Sequence, residues 1–263
     1  MKWNLVSQEL LLGRRGWMIS TAVVLLFQAM FGGAAKIYTE NDVLLDKLHS
    51  LPPSLLEGFG IRIDLMGTYE GWMSGEPYMF FVLLAGAFGA IWASTGIVKE
   101  RDQGTGEMLF ALPYSRWTIF VSKAAAHWLQ LTAMTALGTL VVLAFGGNNG
   151  MEEPGVIIWL GVAGYLTVLA FTGIGYVVTV FLRSERSALS IGIGIVIVSF
   201  LFNMVAGMSD GLGWLSGISL FRAFAADDIV TSHALTASGI TITLGIYVCG
   251  LLLGGTLFRR QDV

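Results

Sequence analysis

Charged residues are scarce in this sequence, and their scarcity argues against a soluble protein. Asp, Glu, Lys and Arg make up 13% of the 263 residues, whereas hydrophobic residues make up 55%. Soluble globular domains carry about 25% charged residues. Because the few charges lie at the ends of long apolar runs, the sequence predicts a membrane protein without a separate soluble domain.

Cysteine and histidine are also rare. Cys249 is the only cysteine, so the chain can form no internal disulfide. It lies within an apolar run, where we expect a buried thiol that behaves as a small hydrophobic side chain. The three histidines are far apart in the sequence, and we therefore predict no metal site.

Several catalytic motifs are absent. The sequence has no His-Glu-x-x-His motif of zinc proteases and no Gly-x-Ser-x-Gly turn of serine hydrolases. It also lacks the Gly-x-x-x-x-Gly-Lys-Ser/Thr loop that binds ATP phosphates, so this chain cannot hydrolyse ATP by that route. We predict that the chain is not an enzyme by itself, with no catalytic residue and no cofactor of its own.

Six apolar runs each have about the 20 residues that a helix needs to cross the hydrocarbon core of a bilayer. We therefore predict an all-α, polytopic membrane protein that forms a single transmembrane domain over residues 1–263. No Asp or Glu lies inside the runs, which argues against a carrier driven by protons or sodium ions. The runs cover approximately residues 17–35, 78–98, 120–145, 156–182, 187–207 and 236–258.

The basic residues are distributed unequally across the predicted membrane. Eleven of the 15 Lys and Arg residues fall on the side that carries the termini, and four fall on the other side. The positive-inside rule then places both termini in the cytoplasm. The outer segments hold 12 of the 18 Asp and Glu residues, and their four basic residues are Lys36, Lys47, Arg62 and Arg222.

Two segments before the second run have structure of their own in this prediction. Residues 3–17 have apolar side chains at helical spacing, with tryptophan at both ends, which indicates an amphipathic helix lying in the inner membrane interface. The outer loop over residues 36–77 is predicted to form a small cap. Three aromatic residues in and after it are typical of an aromatic belt at the membrane surface: Tyr69, Trp72 and Tyr78.

The segment between the fifth and sixth runs, residues 208–234, is too charged to span a bilayer and yet apolar enough to dip into it. We predict a pair of short re-entrant or interfacial helices on the outer side, which would satisfy their own backbone hydrogen bonds. The alternative is an ordinary surface loop. The residues singled out in this segment are Trp214, Phe221, Arg222, Asp227 and Asp228.

Glycines recur in pairs inside three of the runs. Small residues allow the backbones of neighbouring helices to approach closely, and we expect these glycines to be packing positions. The pairs are Gly161 and Gly164, Gly173 and Gly175, and Gly192 and Gly194.

Residues 99–123, on the predicted cytoplasmic side, form the most informative segment. A charge cluster at the end of the second run is followed by Gly104 and Gly106, which interrupt the helix. Pro113 closes the segment, and Ser115 is placed to cap the next helix.

Between these breaks the sequence predicts a short helix outside the membrane. Thr105 can cap it, Glu107 lies in its first turn, and its apolar edge includes Leu109. A short helix with an apolar edge and charged flanks suits insertion into a groove on a partner protein. The alternative is a helix that lies on the inner leaflet.

The pattern in this segment resembles the signature of type-2 ABC transporter permeases. It reads Glu100-x-x-x-Gly104-Thr105-x-Glu107-x-Leu109-x-x-x-Pro113-x-Ser115-Arg116, followed by Lys123. The resemblance extends over essentially the whole chain, including the six runs, Leu51-Pro52 through Gly60, and the closing Phe258-Arg259-Arg260. One departure is Ile218-Ser219-Leu220, where many relatives carry a Ser-Pro pair.

The resemblance implies a permease subunit of an ABC exporter in the plasma membrane of a bacterial cell. It implies cytoplasmic ABC ATPase subunits as partners, which would hold ATP and Mg²⁺, and a second permease chain, identical or related. It also implies contact with membrane lipid and no nucleic acid partner. The segment between the second and third runs would be the coupling element, with its role assigned to Glu100, Arg101, Gly104, Thr105, Glu107, Leu109, Pro113, Ser115 and Arg116.

Two other functions stay open from the sequence. One is a membrane subunit that does not transport, such as a sensor or an assembly scaffold. The other is an ion-driven secondary transporter. The substrate is not readable, because glycine, alanine and aromatic residues dominate the runs without a diagnostic charge.

Overall fold

The computed structural model describes residues 2–41, 62–104, 113–208 and 210–260, together with Lys47, residues 50–52 and Leu56. Within these residues the regular structure is helical and contains no strand, which confirms the all-α prediction. Outside the described residues lie residues 42–46, 48–49, 53–55 and 57–61 of the predicted outer cap and residues 105–112 of the predicted coupling element.

The described part of the chain forms eight α-helices, six of them long and two short. Two 3₁₀ helices, Asp210–Gly217 and Leu220–Arg222, follow the fifth long helix. The α-helices are α1 (Trp3–Thr39), α2 (Tyr69–Ser74), α3 (Glu76–Asp102), α4 (Arg116–Gly146), α5 (Pro154–Phe181), α6 (Glu185–Met208), α7 (Ala226–Ser232) and α8 (Ala237–Arg260).

The six long helices are α1, α3, α4, α5, α6 and α8, and each is long and apolar enough to cross a membrane. The predicted number of spans, six, is confirmed, and in five of them both ends of the helix lie within four residues of the ends of the predicted run. The exception is α1, which begins 14 residues before the predicted start of the first run at residue 17.

The prediction of a separate amphipathic helix over residues 3–17 is wrong, because these residues form the first part of α1. No proline interrupts the stretch between Trp3 and Thr39, so nothing forces the helix to break. The early part of α1 packs along the start of α4. Val6 is fully buried, and the Trp17 indole Nε1 donates a hydrogen bond to the Gln130 carbonyl oxygen at 2.9 Å.

The helices are arranged around α5, which is the most buried of the six. Its main neighbours are α3 and α8, while α6 also packs on α3 and α1 packs along α4. We call the end of the bundle that carries both termini the proximal end. It holds the starts of α1, α4 and α6 and the ends of α3, α5 and α8; the opposite end is the distal end.

Glycine allows α5 and α8 to pack with their backbones in contact. A side chain on Gly250 would collide with the Gly173 carbonyl group, and a Cβ on Gly173 would lie 2.6 Å from the Cα of Tyr247. The predicted packing role is confirmed for five of the six glycines. It is wrong for Gly194, which has no neighbour within 4 Å because it borders an apolar groove on α6.

The prediction of a buried thiol at Cys249 is also wrong. In the isolated chain Cys249 is exposed, although Gly250 beside it is buried against α5. Consecutive residues on an α-helix point about 100° apart, and α8, at the periphery of the bundle, buries only one face. Both faces of α8 are apolar, so composition alone did not distinguish them.

Candidate functional site

Gly104 ends the second long helix as the sequence predicted. α3 stops at Asp102, and Gly104 adopts a positive φ of 71° in a left-handed conformation. Its N–H donates to the Arg101 carbonyl oxygen at 3.2 Å. Glycine has no Cβ to clash in this conformation, so it turns the chain out of the helix at little cost.

The return into the bundle also follows the prediction. α4 begins at Arg116, and the Ser115 hydroxyl oxygen accepts a hydrogen bond from the Thr118 backbone N–H at 3.2 Å. This is the N-cap expected for that serine. Pro113 precedes the cap in a bend. Thr105, Glu107 and Leu109 belong to residues 105–112, which lie outside the described residues.

Glu100 takes part in a buried ion cluster that we call the Lys123 triad. The Lys123 Nζ lies 2.8 Å from Glu9 Oε2 and 3.0 Å from Glu100 Oε1. The Lys123 side chain is 9% exposed and both carboxylate side chains are 22% exposed, so solvent screens the cluster only partly. The triad joins α1, α3 and α4 at the proximal end.

Further contacts hold the end of α3 from its other sides. The Arg101 guanidinium lies 5.8 Å from the centre of the Phe258 ring of α8, a cation–π contact. The Asp102 carboxylate accepts a hydrogen bond from the Glu185 backbone N–H at 2.9 Å, at the start of α6. Gln103 donates to the Glu185 carboxylate at 3.3 Å.

These contacts hold in place the end of α3 and the start of α4, which flank residues 105–112. The segment leaves from α3 at Gly104 and returns to α4 at Ser115, and each of these helices is bound to α1 through the Lys123 triad. A displacement of the segment would therefore act on several helices together. The sequence pattern had marked Glu100 and Lys123, but it missed Glu9, because nothing local connects a residue of the N-terminal helix to them.

At the distal end, the segment after α6 is more ordered than a surface loop. Ser219 caps the 3₁₀ helix Leu220–Arg222 and donates from its hydroxyl to the Ser199 carbonyl oxygen of α6 at 2.7 Å. The Leu220 N–H donates in turn to the Ser199 hydroxyl at 3.0 Å. Ser219 thus fixes the segment to α6.

The distal residues singled out in the sequence divide into two groups. Phe221, Arg222 and Asp227 line one cavity of about 360 Å³ between this segment, α3 and α6. Trp214 and Asp228 do not line it, and both are exposed.

Arg62 closes one side of that cavity. Its guanidinium lies 2.8 Å from Asp227 Oδ2 and 2.9 Å from Asp64 Oδ2. The hydrogen bond from Arg62 lowers the pKa of the Asp64 carboxyl below its ordinary value, so this carboxylate stays charged at neutral pH. The loop before α2 and the segment before α8 are therefore linked by charge across the cavity.

The predicted aromatic belt is part of the core instead. Tyr69 and Trp72 are buried, with the Tyr69 hydroxyl donating to the Val142 carbonyl oxygen at 2.7 Å and the Trp72 Nε1 to the Phe31 carbonyl oxygen at 3.1 Å. Glu70 between them is also buried. Its carboxylate accepts hydrogen bonds at 2.7 and 2.6 Å from two backbone N–H groups just before α5. Sequence reasoning gave Glu70 no role.

The described part of the chain has six helices long and apolar enough to cross a membrane, which define a multi-pass membrane protein. A protein-family model described as "ABC-2 family transporter protein" matches residues 3–263. The chain belongs to this family and is the membrane subunit of an ABC transporter, a type-2 permease, as the resemblance implied. The comparison with curated proteins found no match. Membership of the family implies pairing with ABC ATPase subunits.

Proposed function

We propose that this chain is the permease subunit of an exporter that moves its substrate outward with energy from ATP hydrolysis on a separate subunit. The observation that carries the proposal is the family match over residues 3–263. The described helices α5, α6 and α8 carry no charged side chain between their end turns, which fits a pathway not driven by ions.

Residues 100–116 are proposed as the element that contacts the ATPase. The position of this element in the fold supports the proposal. The Lys123 triad anchors the base of this element to α1, α3 and α4, so force applied to residues 105–112 reaches three membrane helices. Glu100 acts within the chain in this scheme, by holding Lys123, while Arg101, Gly104, Thr105, Glu107, Leu109, Pro113, Ser115 and Arg116 form or shape the docking surface.

ATP and Mg²⁺ would bind to the partner ATPases. A second permease chain, identical or related, is proposed as well, since six helices can enclose only half of a pathway between two subunits. The proximal end would then face the cytoplasm of a bacterial cell, following the excess of Lys and Arg residues at that end.

This orientation predicts which positions react with reagents added outside cells. In a Cys249→Ser background, a cysteine at Asn148 should be alkylated by a membrane-impermeant maleimide, whereas a cysteine at Gln103 should react only after the cells are opened. Both positions are exposed, so access to the side chain is matched. Alkylation of the Gln103→Cys variant in intact cells would contradict the proposed orientation.

The coupling role predicts an effect of Gly104→Val on ATP hydrolysis. Valine in a left-handed conformation costs about 1–2 kcal/mol, which is enough to change the populations of segment arrangements about tenfold. We expect the ATPase that co-purifies with the chain to be lost, or its hydrolysis in the complex to fall about tenfold. The measurement is the amount of bound ATPase and its hydrolysis rate in nanodiscs.

Gly150→Val is the matched control. Gly150 has a φ of 77° against 71° for Gly104, and in the described part of the chain no group lies within 4 Å of the position that a Cβ would occupy on either glycine. The two substitutions therefore impose the same local strain at opposite ends of the bundle. Equal hydrolysis rates in both variants would argue against the coupling role. If no ATPase is bound by the unmodified chain, a sensor or scaffold becomes the better description.

A further inference from the structure

Both arginines of the distal end line the same cavity. The segments at this end contain 12 acidic residues and only four basic ones, two lysines and two arginines. Arg62 and Arg222 come from segments 160 residues apart in the sequence and meet at the cavity of about 360 Å³. Two guanidinium groups that meet at one cavity are a feature that helix packing does not require.

The two arginines differ in their partners. Arg62 is neutralised by Asp64 and Asp227. Arg222 is exposed and has no ion-pair partner in the part of the chain that the structure describes. The planar guanidinium offers paired N–H donors that match a carboxylate or a phosphate, which makes it the side chain best suited to bind such groups.

The rest of the cavity wall is built on well-packed elements. Phe221 and Phe224 are buried, and the turn that carries Phe221 is fixed to α6 by the hydrogen bonds between Ser199 and Ser219. Asn203 of α6 also lines the cavity and is 6% exposed. Its amide N–H groups are donors that could reach an anion in the cavity, whereas its amide oxygen is an acceptor and does not favour one.

We propose that this cavity binds an anionic group, a carboxylate or a phosphate, of the molecule that the transporter exports. Arg222 binds the anion, and Asp227 competes with the anion for Arg62. The statement that the anion belongs to an exported molecule rests on the proposed function; the presence of an anion site does not. The distal position makes it a site that the substrate occupies on leaving.

The test uses the purified full-length chain in nanodiscs, without ATPase. A reporter cysteine replaces Ala225, which lines the cavity, in a Cys249→Ser background, and its alkylation by the neutral reagent N-ethylmaleimide is timed. Pyrophosphate represents phosphate groups, citrate represents carboxylates, and glycerol is the neutral control. A second reporter at Ser232, exposed and outside the cavity, reports on general effects on the fold.

We expect at least one of the two anions, but not glycerol, to slow alkylation at position 225 and leave position 232 unchanged. The anion that protects identifies the chemical class. Arg222→Gln should raise the anion concentration that gives half-maximal protection roughly tenfold, because it removes one charge-assisted hydrogen-bonded pair. Asp227→Asn should lower it, because Arg62 gains freedom to bind. Lys36→Gln removes a distal charge outside the cavity and should change nothing.

Three results would overturn the site: no protection by either anion, equal effects of Arg222→Gln and Lys36→Gln, or weaker protection in the Asp227→Asn variant. If the Arg62–Asp227 pair serves only to hold the structure together, protection should be weaker in the Asp227→Asn variant. No ATPase is present in this test, so a negative result says nothing about the coupling proposal, which the Gly104→Val experiment tests. If the unmodified chain binds no ATPase, the anion site stays in place and only its assignment to export is removed.

Discussion

Replacing Lys123 with methionine is expected to destabilise the proximal end by roughly 3 kcal/mol, because it leaves two carboxylates in a partly buried site without a cation. Glu9 and Glu100 each lie within 3.0 Å of the Lys123 Nζ. Their 22% exposed side chains place the cost at the low end of what a buried pair shows. Thermal unfolding of the purified chain in nanodiscs measures the loss, and ATP hydrolysis by the complex should fall with it.

The triple variant Glu9→Gln, Lys123→Met, Glu100→Gln separates charge from packing. It removes all three charges and keeps side chains of similar size, so most of the lost stability should return. Hydrolysis should stay low in the triple variant if the triad transmits movement from residues 105–112, since the neutral groups hold α1 and α3 less firmly. A Lys123→Met variant as stable and active as the unmodified chain would show that the triad has no role.

Gly250→Val is expected to prevent the normal packing of α8 against α5. The new side chain would meet the Gly173 carbonyl group, and a backbone cannot move aside as a flexible side chain does. Overpacking of this kind costs about 1–3 kcal/mol, with backbone collisions at the upper end or beyond it. Size-exclusion chromatography of the detergent-extracted protein should show a large loss of the monodisperse species.

Gly245→Val in the same helix is the control. Gly245 is exposed, and in the described part of the chain no group lies within 4 Å of the position that a Cβ would occupy on it. The identical substitution therefore adds a side chain to an open face. It also removes a flexible glycine from a helix, which favours the helix slightly. We expect its yield and thermal stability to match the unmodified chain. Equal losses in the two variants would mean that the contact with Gly173 is not the cause.

Most of the fold followed from composition. Length and hydrophobicity were enough to find the six long helices, because the width of a bilayer imposes both. They were not enough to decide which face of a helix meets protein and which meets lipid, since the two environments accept the same side chains. Cys249 and Gly194 were misjudged for that reason. Tyr69 and Trp72 suited a membrane interface equally well, and only their partners in α4 and α1 place them in the core.

The candidate site likewise contains some residues that the sequence predicted and others that it did not. Gly104 and Ser115 were predicted because their effects are local: a left-handed turn and an N-cap depend on the next few residues. The Lys123 triad joins residues that are 23 and 114 positions apart. The cavity that holds Arg62 and Arg222 depends on how distant segments meet. Contacts of this kind depend on helix register, which a single sequence does not reveal.

The side-by-side packing of α1 and α4 has a consequence for synthesis of the protein. α1 is complete at Thr39, but its partner is complete only at Gly146, roughly 5–20 s later at ordinary rates of translation. During that time the Gln28 amide, which is buried in the finished protein, has no α4 beside it. An amide in hydrocarbon is costly, so α1 is expected to be less stable in the bilayer until α4 arrives. The order in which the ribosome delivers the helices is thus part of how this bundle assembles.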